Sequence, residues 1–366
     1  MQVKDFDFKA FLDYKEKKDL NYRRFLQGGD WSVPIAQLAS STHWQGICRY
    51  KEKSLEAQLD FLTDTVKLET DFVFGYLEPW MGVGIYAAAY GCKYIWHGNE
   101  SPQVLPIYHS LDDVRGVKHP SICECEEMSA TLDMIRYFKE QTGGMLDISM
   151  TDTQSPNDTG SMILDTTEFF AATLDEPELL DPLLNSITRL IIEFSERQME
   201  IIGENLALPG HIMPSSREGS GISVSDDNMT FISPRSYIDT CRTYNTKLSD
   251  HFGGVAIHTC GNAGHNLELL RDTRGLQMVD LALGFTADPS PNQAQRVADV
   301  FRGTPVIVKA KVGWDEIDLI APLIDPGVKL VVHLFTSGDI DERNRQFEAA
   351  RKTVDALMSA YEDCSE

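Results

Sequence analysis

Basic residues are scarce in this sequence, in which 33 Lys and Arg stand against 56 Asp and Glu. The formal net charge is −23. Phosphate binding needs clustered Lys and Arg, and the sequence shows no such cluster, so the composition argues against a nucleic-acid partner. The same deficit argues against binding to an anionic membrane surface.

Long apolar runs and cofactor signatures are also absent from the sequence. No apolar run approaches the roughly 18 residues of a membrane span. The N-terminus, MQVKDFDFKAFLDYKEKKDL, has no signal-peptide core, so we expect a cytoplasmic protein without a membrane partner. There is no GxGxxG after a strand, no Walker loop and no GxSxG, so nucleotide cofactors and serine hydrolysis have no support.

Cysteine is present in an odd and scattered set of seven, at positions 48, 92, 123, 125, 241, 260 and 364. Disulfide frameworks need paired cysteines and an oxidising compartment. We therefore expect reduced thiols rather than disulfide bonds.

Short Val- and Ile-rich runs, closed by Gly, Pro or Asp, predict eight β-strands. They are 33–39, 71–79, 144–152, 221–227, 253–261, 276–284, 304–313 and 327–338. Helix-length segments occur at 54–69, 177–203, 233–253 and 341–361. This alternation implies parallel βαβ units, and about eight of them favour a closed barrel over an open sheet. We predict an α/β fold, a single (β/α)8 TIM-barrel domain over residues 1–366.

Two segments lie outside the repeating strand–helix pattern. Residues 1–29 precede the first predicted strand and are assigned to an N-terminal helical extension. Residues 80–125 form a long excursion after an early strand. Excursions at the C-terminal ends of strands usually shape a pocket.

The segment GGVAIHTCG places His258 and Cys260 two residues apart at the end of a predicted strand. Residues two apart in a strand point to the same side, and an α/β barrel keeps its active site at the C-terminal ends of its strands. Imidazole and thiolate are preferred ligands of Zn²⁺. The alternative is a core thiol beside a hydrogen-bonded histidine.

AIHTCGN resembles the His-x-Cys-Gly segment of the uroporphyrinogen decarboxylase superfamily. The family's other segments follow in order, as ETDFVFGYLEPWMG, GISVSDDNMTFISPRSYIDT, TPVIVKAKVGW and the Gly338-Asp339-Ile340 turn. The resemblance covers roughly residues 30 to 355. The superfamily also contains zinc-dependent methyltransferases, which move a methyl group from a corrinoid to a thiol such as coenzyme M.

The sequence departs from the decarboxylases of this family at their substrate-binding arginines. Leu38 and Thr42 occupy the positions of the arginines that bind substrate carboxylates. Glu78 aligns with the catalytic aspartate and is longer by one methylene. Because carboxylates would lose their bidentate partners, we do not expect decarboxylation of uroporphyrinogen.

The sequence also departs from the methyltransferases, whose third zinc ligand is a cysteine near the C-terminus. Gly338 in LFTSGDI stands at that position. A catalytic zinc site normally takes three ligands from the protein. The side chains that could replace the missing ligand are Glu78, Asp226, Asp227, His265 and His333.

The resemblance implies an enzyme that transfers a methyl group between a cobalamin and a small thiol or methylated substrate, using zinc. The expected metal ligands are His258, Cys260, Glu78 and His333; the catalytic acids are Glu78, Asp226 and Asp227; and the cofactor contacts are Asn262 and Trp80. Beyond a small-molecule substrate, a corrinoid protein is the expected partner, and the resemblance allows a homodimer. Two alternatives stay open: a metal-free decarboxylase of a tetrapyrrole or other carboxylate using Glu78, and a non-catalytic corrinoid- or tetrapyrrole-binding barrel.

Overall fold

The computed structural model describes residues 1–28, 31–39 and 44–365. The strands in these ranges are β1 (Ile35–Gln37), β2 (Tyr76–Leu77), β3 (Lys93–Ile95), β4 (Gln103–Leu105), β5 (Asp147–Ile148), β6 (Ile222–Ser225), β7 (Val255–His258), β8 (Leu276–Ala282), β9 (Ile307–Gly313) and β10 (Lys329–Phe335).

The α-helices of the same ranges are α1 (Phe8–Leu26), α2 (Trp44–Ile47), α3 (Lys51–Thr65), α4 (Ile85–Ala89), α5 (Leu111–Val114), α6 (Glu126–Gln141), α7 (Pro156–Ile163), α8 (Thr166–Asp175), α9 (Asp181–Ile202), α10 (Pro234–Tyr237), α11 (Thr243–Phe252), α12 (Leu267–Arg271), α13 (Ala294–Phe301) and α14 (Ile340–Ser365). In this part of the chain, no helix has the length and apolar character needed to cross a membrane.

Six strands form one parallel sheet in the order β1-β10-β9-β8-β7-β6, and β2 pairs in parallel with β5. Each predicted strand contains one of these eight, and helices alternate with them along the chain. The predicted α/β class with a parallel sheet is therefore confirmed. The apolar character of β6 to β10 follows from burial on both faces, as expected for parallel strands.

A continuous closed barrel is not seen among the described residues, so that part of the predicted fold stays a prediction. The sheet and the β2–β5 pair are joined by single contacts: Gln154 bridges Ser225, and the Asp71 N–H donates to the Ile35 carbonyl at 2.9 Å. Leu206 also pairs with Ile148. The segment after α9 therefore pairs with part of the β5 edge, where β6 would pair in a closed barrel.

The helical segment predicted at 233–253 shows how local sequence sets its ends. The Ser233 hydroxyl accepts a hydrogen bond from the Ser236 N–H at 3.2 Å, and Pro234 occupies the first turn. Gly253 ends α11 in the left-handed region, at φ +76°. One π-helical stretch, Ile238–Arg242, separates α10 from α11 inside the segment.

The two segments outside the strand–helix pattern have their own structure. Helix α1 lies within residues 1–29, and its buried Lys15 places Nζ 3.1 Å from the Asp147 carboxylate at the start of β5. The excursion at 80–125 contains α4, the antiparallel pair β3–β4, and α5. This excursion directly follows β2, so it lies beside the C-terminal end of that strand.

Candidate functional site

Three potential metal ligands meet where β6 and β7 end. His258 Nε2 lies 3.2 Å from Cys260 Sγ and 3.9 Å from Asp227 Oδ1, and the three ligand atoms all lie within 4.8 Å of one another. The Cys260 N–H donates to Asp227 Oδ1 at 2.6 Å. The strands bring these residues together because Ser225 pairs with His258, so both strand ends stop at the same level. We call Asp227, His258 and Cys260 the ligand cluster.

A buried carboxylate fixes the imidazole of His258. Its Nδ1 donates to Asp280 Oδ2 at 2.6 Å, from the neighbouring strand β8. Burial, together with the nearby Lys311 ammonium, lowers the pKa of His258, so the ring is neutral near pH 7. With the proton on Nδ1, the lone pair of Nε2 faces Cys260 and Asp227. This is the arrangement in which metal-binding histidines are held by a second carboxylate.

Two buried lysines of β9 keep Asp280 ionised. Lys309 Nζ lies 3.1 Å and Lys311 Nζ 3.6 Å from the Asp280 carboxylate. Burial opposes ionisation of Asp280, but the two ammonium groups outweigh it and hold the pKa of this carboxyl well below its usual range. Burial in turn lowers the pKa of Lys309 to about 8. Beneath the ligand cluster, two ammonium groups therefore flank one carboxylate.

The thiol of Cys260 lies in a negative environment. Desolvation, and then the Asp227 carboxylate, raise the pKa of Cys260 to about 12. A divalent cation reverses this effect, because a coordinated thiol loses its proton. The side chains of the ligand cluster thus suit a cation.

Asp226 points away from the ligand cluster although it precedes Asp227. Its carboxylate accepts from Asn245 Nδ2 at 2.6 Å and from the Cys241 thiol at 3.5 Å. Burial raises the pKa of Asp226 to about 6. Beside it, the buried Asp158 accepts from the Asp227 N–H at 2.7 Å and so holds the backbone of the ligand.

Glu78 belongs to a different group of side chains from the ligand cluster. Its Oε1 lies 2.6 Å from His211 Nδ1, and His211 Nε2 lies 3.6 Å from Asp152 Oδ1. Burial alone would lower the pKa of His211, but the two carboxylates outweigh it and raise this pKa to about 9. The trio of Glu78, His211 and Asp152 therefore carries one net negative charge at neutral pH.

The trio lines a cavity of about 370 Å³. Four of the described lining residues are aromatic: Phe61, Phe74, Tyr76 and Trp80. Trp80 Nε1 donates to the Asp152 carboxylate at 3.3 Å, so Trp80, expected at the cofactor, lies in the cavity wall. Leu38 also lines the cavity. Thr42, the other position that the resemblance assigns to an arginine, lies outside the described residues.

The two histidines considered as replacement ligands contact other groups. His333 is buried on β10, where its ring packs against Phe335 with centroids 4.8 Å apart. His265 Nε2 lies 2.9 Å from the Ile232 carbonyl oxygen. Neither histidine belongs to the ligand cluster.

Asn262 and Gly338 have local roles in their loops. The Asn262 side chain donates to the Pro291 carbonyl at 3.0 Å and accepts from the Gly264 N–H at 2.9 Å. Gly338 has φ +93°, and a Cβ added there would collide with the carboxylate of Glu342. The position given to a cysteine by the resemblance thus has a backbone that favours glycine.

Several residues around the site were not predicted from the sequence. They are Asp152, His211, Asp280, Lys309 and Lys311. A signal existed for the last three. Lys309 and Lys311 stand two apart in the apolar run TPVIVKAKVG, which predicts a shared face, and Asp280 is the one charged residue of the apolar run LQMVDLALG. His211 lies in a loop without such a pattern.

Comparisons with known proteins give the family and the fold. Residues 35–208 match the family described as uroporphyrinogen decarboxylase (URO-D). A solved methyltransferase from Methanosarcina mazei aligns over 92% of this chain and 99% of its own, with a TM-score of 0.65 and 14% identity, which indicates a shared fold. No curated protein matches the chain.

A second solved structure, a DUF72 family protein from Enterococcus faecalis V583, aligns over 61% of this chain and 84% of its own. Its TM-score of 0.30 and identity of 11% are too low to carry an argument. The family match includes the segment ETDFVFGYLEPWMG and ends before the other segments that carry the resemblance in the sequence. A match to the uroporphyrinogen decarboxylase family is therefore identified over residues 35–208, and the shared fold extends over most of the chain.

Proposed function

We propose that the protein is a metal-dependent methyltransferase, which moves a methyl group between a corrinoid and a small thiol or methylated substrate. The observation that carries this proposal is the ligand cluster of Asp227, His258 and Cys260, with Asp280 behind the imidazole. A three-ligand site beside a solvent-accessible strand end is what catalytic zinc requires, since its fourth position stays open.

The donor set fits zinc in type as well as in number. It offers one imidazole nitrogen, one thiolate sulfur and one carboxylate oxygen, all of which zinc accepts. Asp227 takes the place that the resemblance gives to a cysteine at Gly338. Bound zinc would lower the pKa of a substrate thiol and so present a thiolate at neutral pH. The chain itself holds the ligands in position, through Asp280 for His258 and Asp158 for Asp227.

We also propose that the eight parallel strands complete a barrel. In chain order they are β1, β2, β5, β6, β7, β8, β9 and β10, and the first already pairs with the last. The single contacts between β1 and the residues before β2, and between the residues after β5 and β6, lie where the ladder would close. Such a barrel places the ligand cluster and Glu78 at the same mouth.

The loops after three strands support a corrinoid, free or protein-bound, as the partner. Phe231 follows β6, Phe285 follows β8 and Trp314 follows β9, with 79%, 63% and 37% of their surface exposed. Exposed aromatic side chains near a site commonly mark an interaction surface. These residues, rather than Asn262 and Trp80, are the ones that we assign to contact with the corrinoid or its carrier.

The decisive experiment is metal analysis of the purified protein and its variants. We expect stoichiometric zinc in the wild type and loss of zinc in Cys260→Ser, because the thiolate is the softest ligand of the set. Asp227→Asn is expected to bind zinc more weakly. The matched control is Cys123→Ser, since Cys123 is an exposed thiol outside the ligand cluster and its loss should not change the zinc content.

Circular dichroism of each variant separates metal loss from unfolding. A wild type that carries no stoichiometric zinc after incubation with excess metal would refute the proposal. So would a Cys260→Ser variant that folds and retains the full zinc content.

A further inference from the structure

We propose that the cavity lined by Glu78, His211 and Asp152 binds a small organic cation of the methylated-ammonium class. This binding site goes beyond the proposed methyl transfer, and it does not depend on the metal. The cavity measures about 370 Å³, within the usual range for small-molecule sites.

The walls of the cavity suit a cation with an apolar surface. Phe61, Phe74, Tyr76 and Trp80 present four aromatic rings. Trp is the strongest partner for a quaternary ammonium group, and clustered aromatic rings are the usual way to recognise one. Lys309 places its ammonium 5.4 Å from the Phe74 ring centroid, so one lining ring already contacts a cation.

The charge of the cavity also favours a cation. Glu78 and Asp152 contribute two negative charges, and the protonated His211 between them contributes one positive charge. Lys309 and Lys311, which share the Asp280 carboxylate, do not line the cavity. Among the described lining residues there is no Arg or Lys, and the one cationic side chain, His211, is already flanked by two carboxylates.

Leu38 also makes the cavity less suited to an anionic ligand. It lies at a position that the resemblance assigns to a carboxylate-binding arginine, and it adds an apolar surface instead. The Asp152 carboxylate also accepts from the Ser225 hydroxyl at 3.3 Å, and Ser225 is two residues before Asp227. The cavity and the ligand cluster are therefore both attached to the end of β6.

The test compares a cation with a neutral molecule of the same shape. Choline and 3,3-dimethylbutanol differ in one atom, the charged nitrogen against a carbon. We expect isothermal titration calorimetry on the wild type to show choline binding about tenfold or more tightly than the neutral analogue, since a desolvated cation–π contact is worth this factor.

Variants assign the effect to the cavity. Trp80→Leu should weaken choline binding about tenfold, while Trp80→Phe, which keeps an aromatic face, should retain most of it. Glu78→Gln keeps the shape, removes a charge and should also weaken binding of choline but not of 3,3-dimethylbutanol. Cys123→Ser is the control, because Cys123 is an exposed thiol outside the cavity and the ligand cluster, and its loss should leave choline binding unchanged.

Equal affinities for the two molecules, or the absence of choline binding to the folded wild type, would overturn the inference. A Trp80→Leu variant that melts like the wild type and binds choline equally well would also overturn it. Zinc content is measured on the same samples. Absence of choline binding to a wild type that carries zinc therefore refutes this inference alone, whereas absence of zinc from a wild type that binds choline refutes only the proposed function.

Discussion

At the scale of single residues, the site depends on carboxylates that orient imidazoles. Asp280 orients His258 towards the ligand cluster, whereas Glu78 and Asp152 enclose His211. The two rings differ in charge as a result. Burial beside Lys311 lowers the pKa of His258, while the two carboxylates outweigh burial and raise that of His211. A neutral ring suits metal binding, and a protonated ring suits charge compensation.

The raised pKa of His211 predicts a pH-dependent contribution to stability. Below its ordinary pKa of about 6.5, His211 is protonated in both the folded and the unfolded chain, and its stabilising effect is fully present. The effect is lost as the pH rises through about 9, the folded-state pKa. Because each pKa unit corresponds to about 1.4 kcal/mol, the loss amounts to roughly 3 kcal/mol at most.

Urea unfolding of the wild type and of His211→Gln, at one fixed metal concentration, checks this expectation. The difference between their free energies of unfolding should decrease between pH values of about 6.5 and 9. Arg189→Gln serves as a control, since this arginine is exposed and forms a surface ion pair with Glu193. A difference that stays constant or grows with pH would contradict the assignment of charge to His211.

At the scale of elements, the sequence indicated the strands well and the contacts between distant loops poorly. The runs around β7, β8, β9 and β10 could be located because parallel strands buried on both faces are continuously apolar. The pairing of Glu78 with His211 spans 133 residues and involves a loop without periodicity. Neither propensity nor spacing encodes such a contact, since it depends on how the segment after α9 packs between strands.

The proximity of Asp227, His258 and Cys260 could be predicted in part from the sequence. His258 and Cys260 share a strand face by their spacing alone. Asp227 joins them because β6 and β7 pair in parallel register, which the order of segments suggested but did not fix. Choosing among the replacement ligands therefore needed the structure.

The turn between β10 and α14 provides a prediction about stability. Gly338 has φ +93°, and a side chain there would meet the Glu342 carboxylate. We expect Gly338→Ala to lower the free energy of unfolding by about 1–3 kcal/mol, because a non-glycine residue in this region is strained. Gly116→Ala is the matched control, since no heavy atom lies within 4 Å of an added Cβ and its φ is not positive.

Chemical denaturation of the two variants gives the comparison directly. If Gly338→Ala is as stable as Gly116→Ala, the turn accepts a side chain, and strain does not explain the glycine. The double variant Gly338→Ala with Glu342→Ala separates the two causes. It should recover the part due to collision and retain the part due to the backbone angle.

At the scale of the whole molecule, the buried residues carry both signs of charge although the chain is strongly acidic. The chain carries a formal net charge of −23, yet Lys309 and Lys311 are buried beneath the ligand cluster and paired with Asp280. The two buried ammonium groups thus form ion pairs with a carboxylate of the protein itself. They are not presented to an anionic substrate.

This distribution predicts which reaction the protein does not catalyse. A substrate with many carboxylates needs cationic partners at the mouth, and the described cavity wall presents Leu38 together with the acidic groups Glu78 and Asp152. Each carboxylate left without a partner costs on the order of 1–3 kcal/mol of binding. In addition, the charge of Glu78 is compensated by His211, so it is less available to stabilise a protonated pyrrole.

We therefore expect the purified protein, with or without zinc, to convert no uroporphyrinogen to coproporphyrinogen above the uncatalysed rate. The assay follows coproporphyrinogen formation by fluorescence after oxidation to the porphyrin. Leu38→Arg restores one of the family's cationic positions and is expected to strengthen uroporphyrinogen binding about tenfold, because a charge-assisted pair is gained. Turnover by the wild type at an ordinary enzymatic rate would show instead that Glu78 acts as the family's aspartate does, even while it is paired with His211.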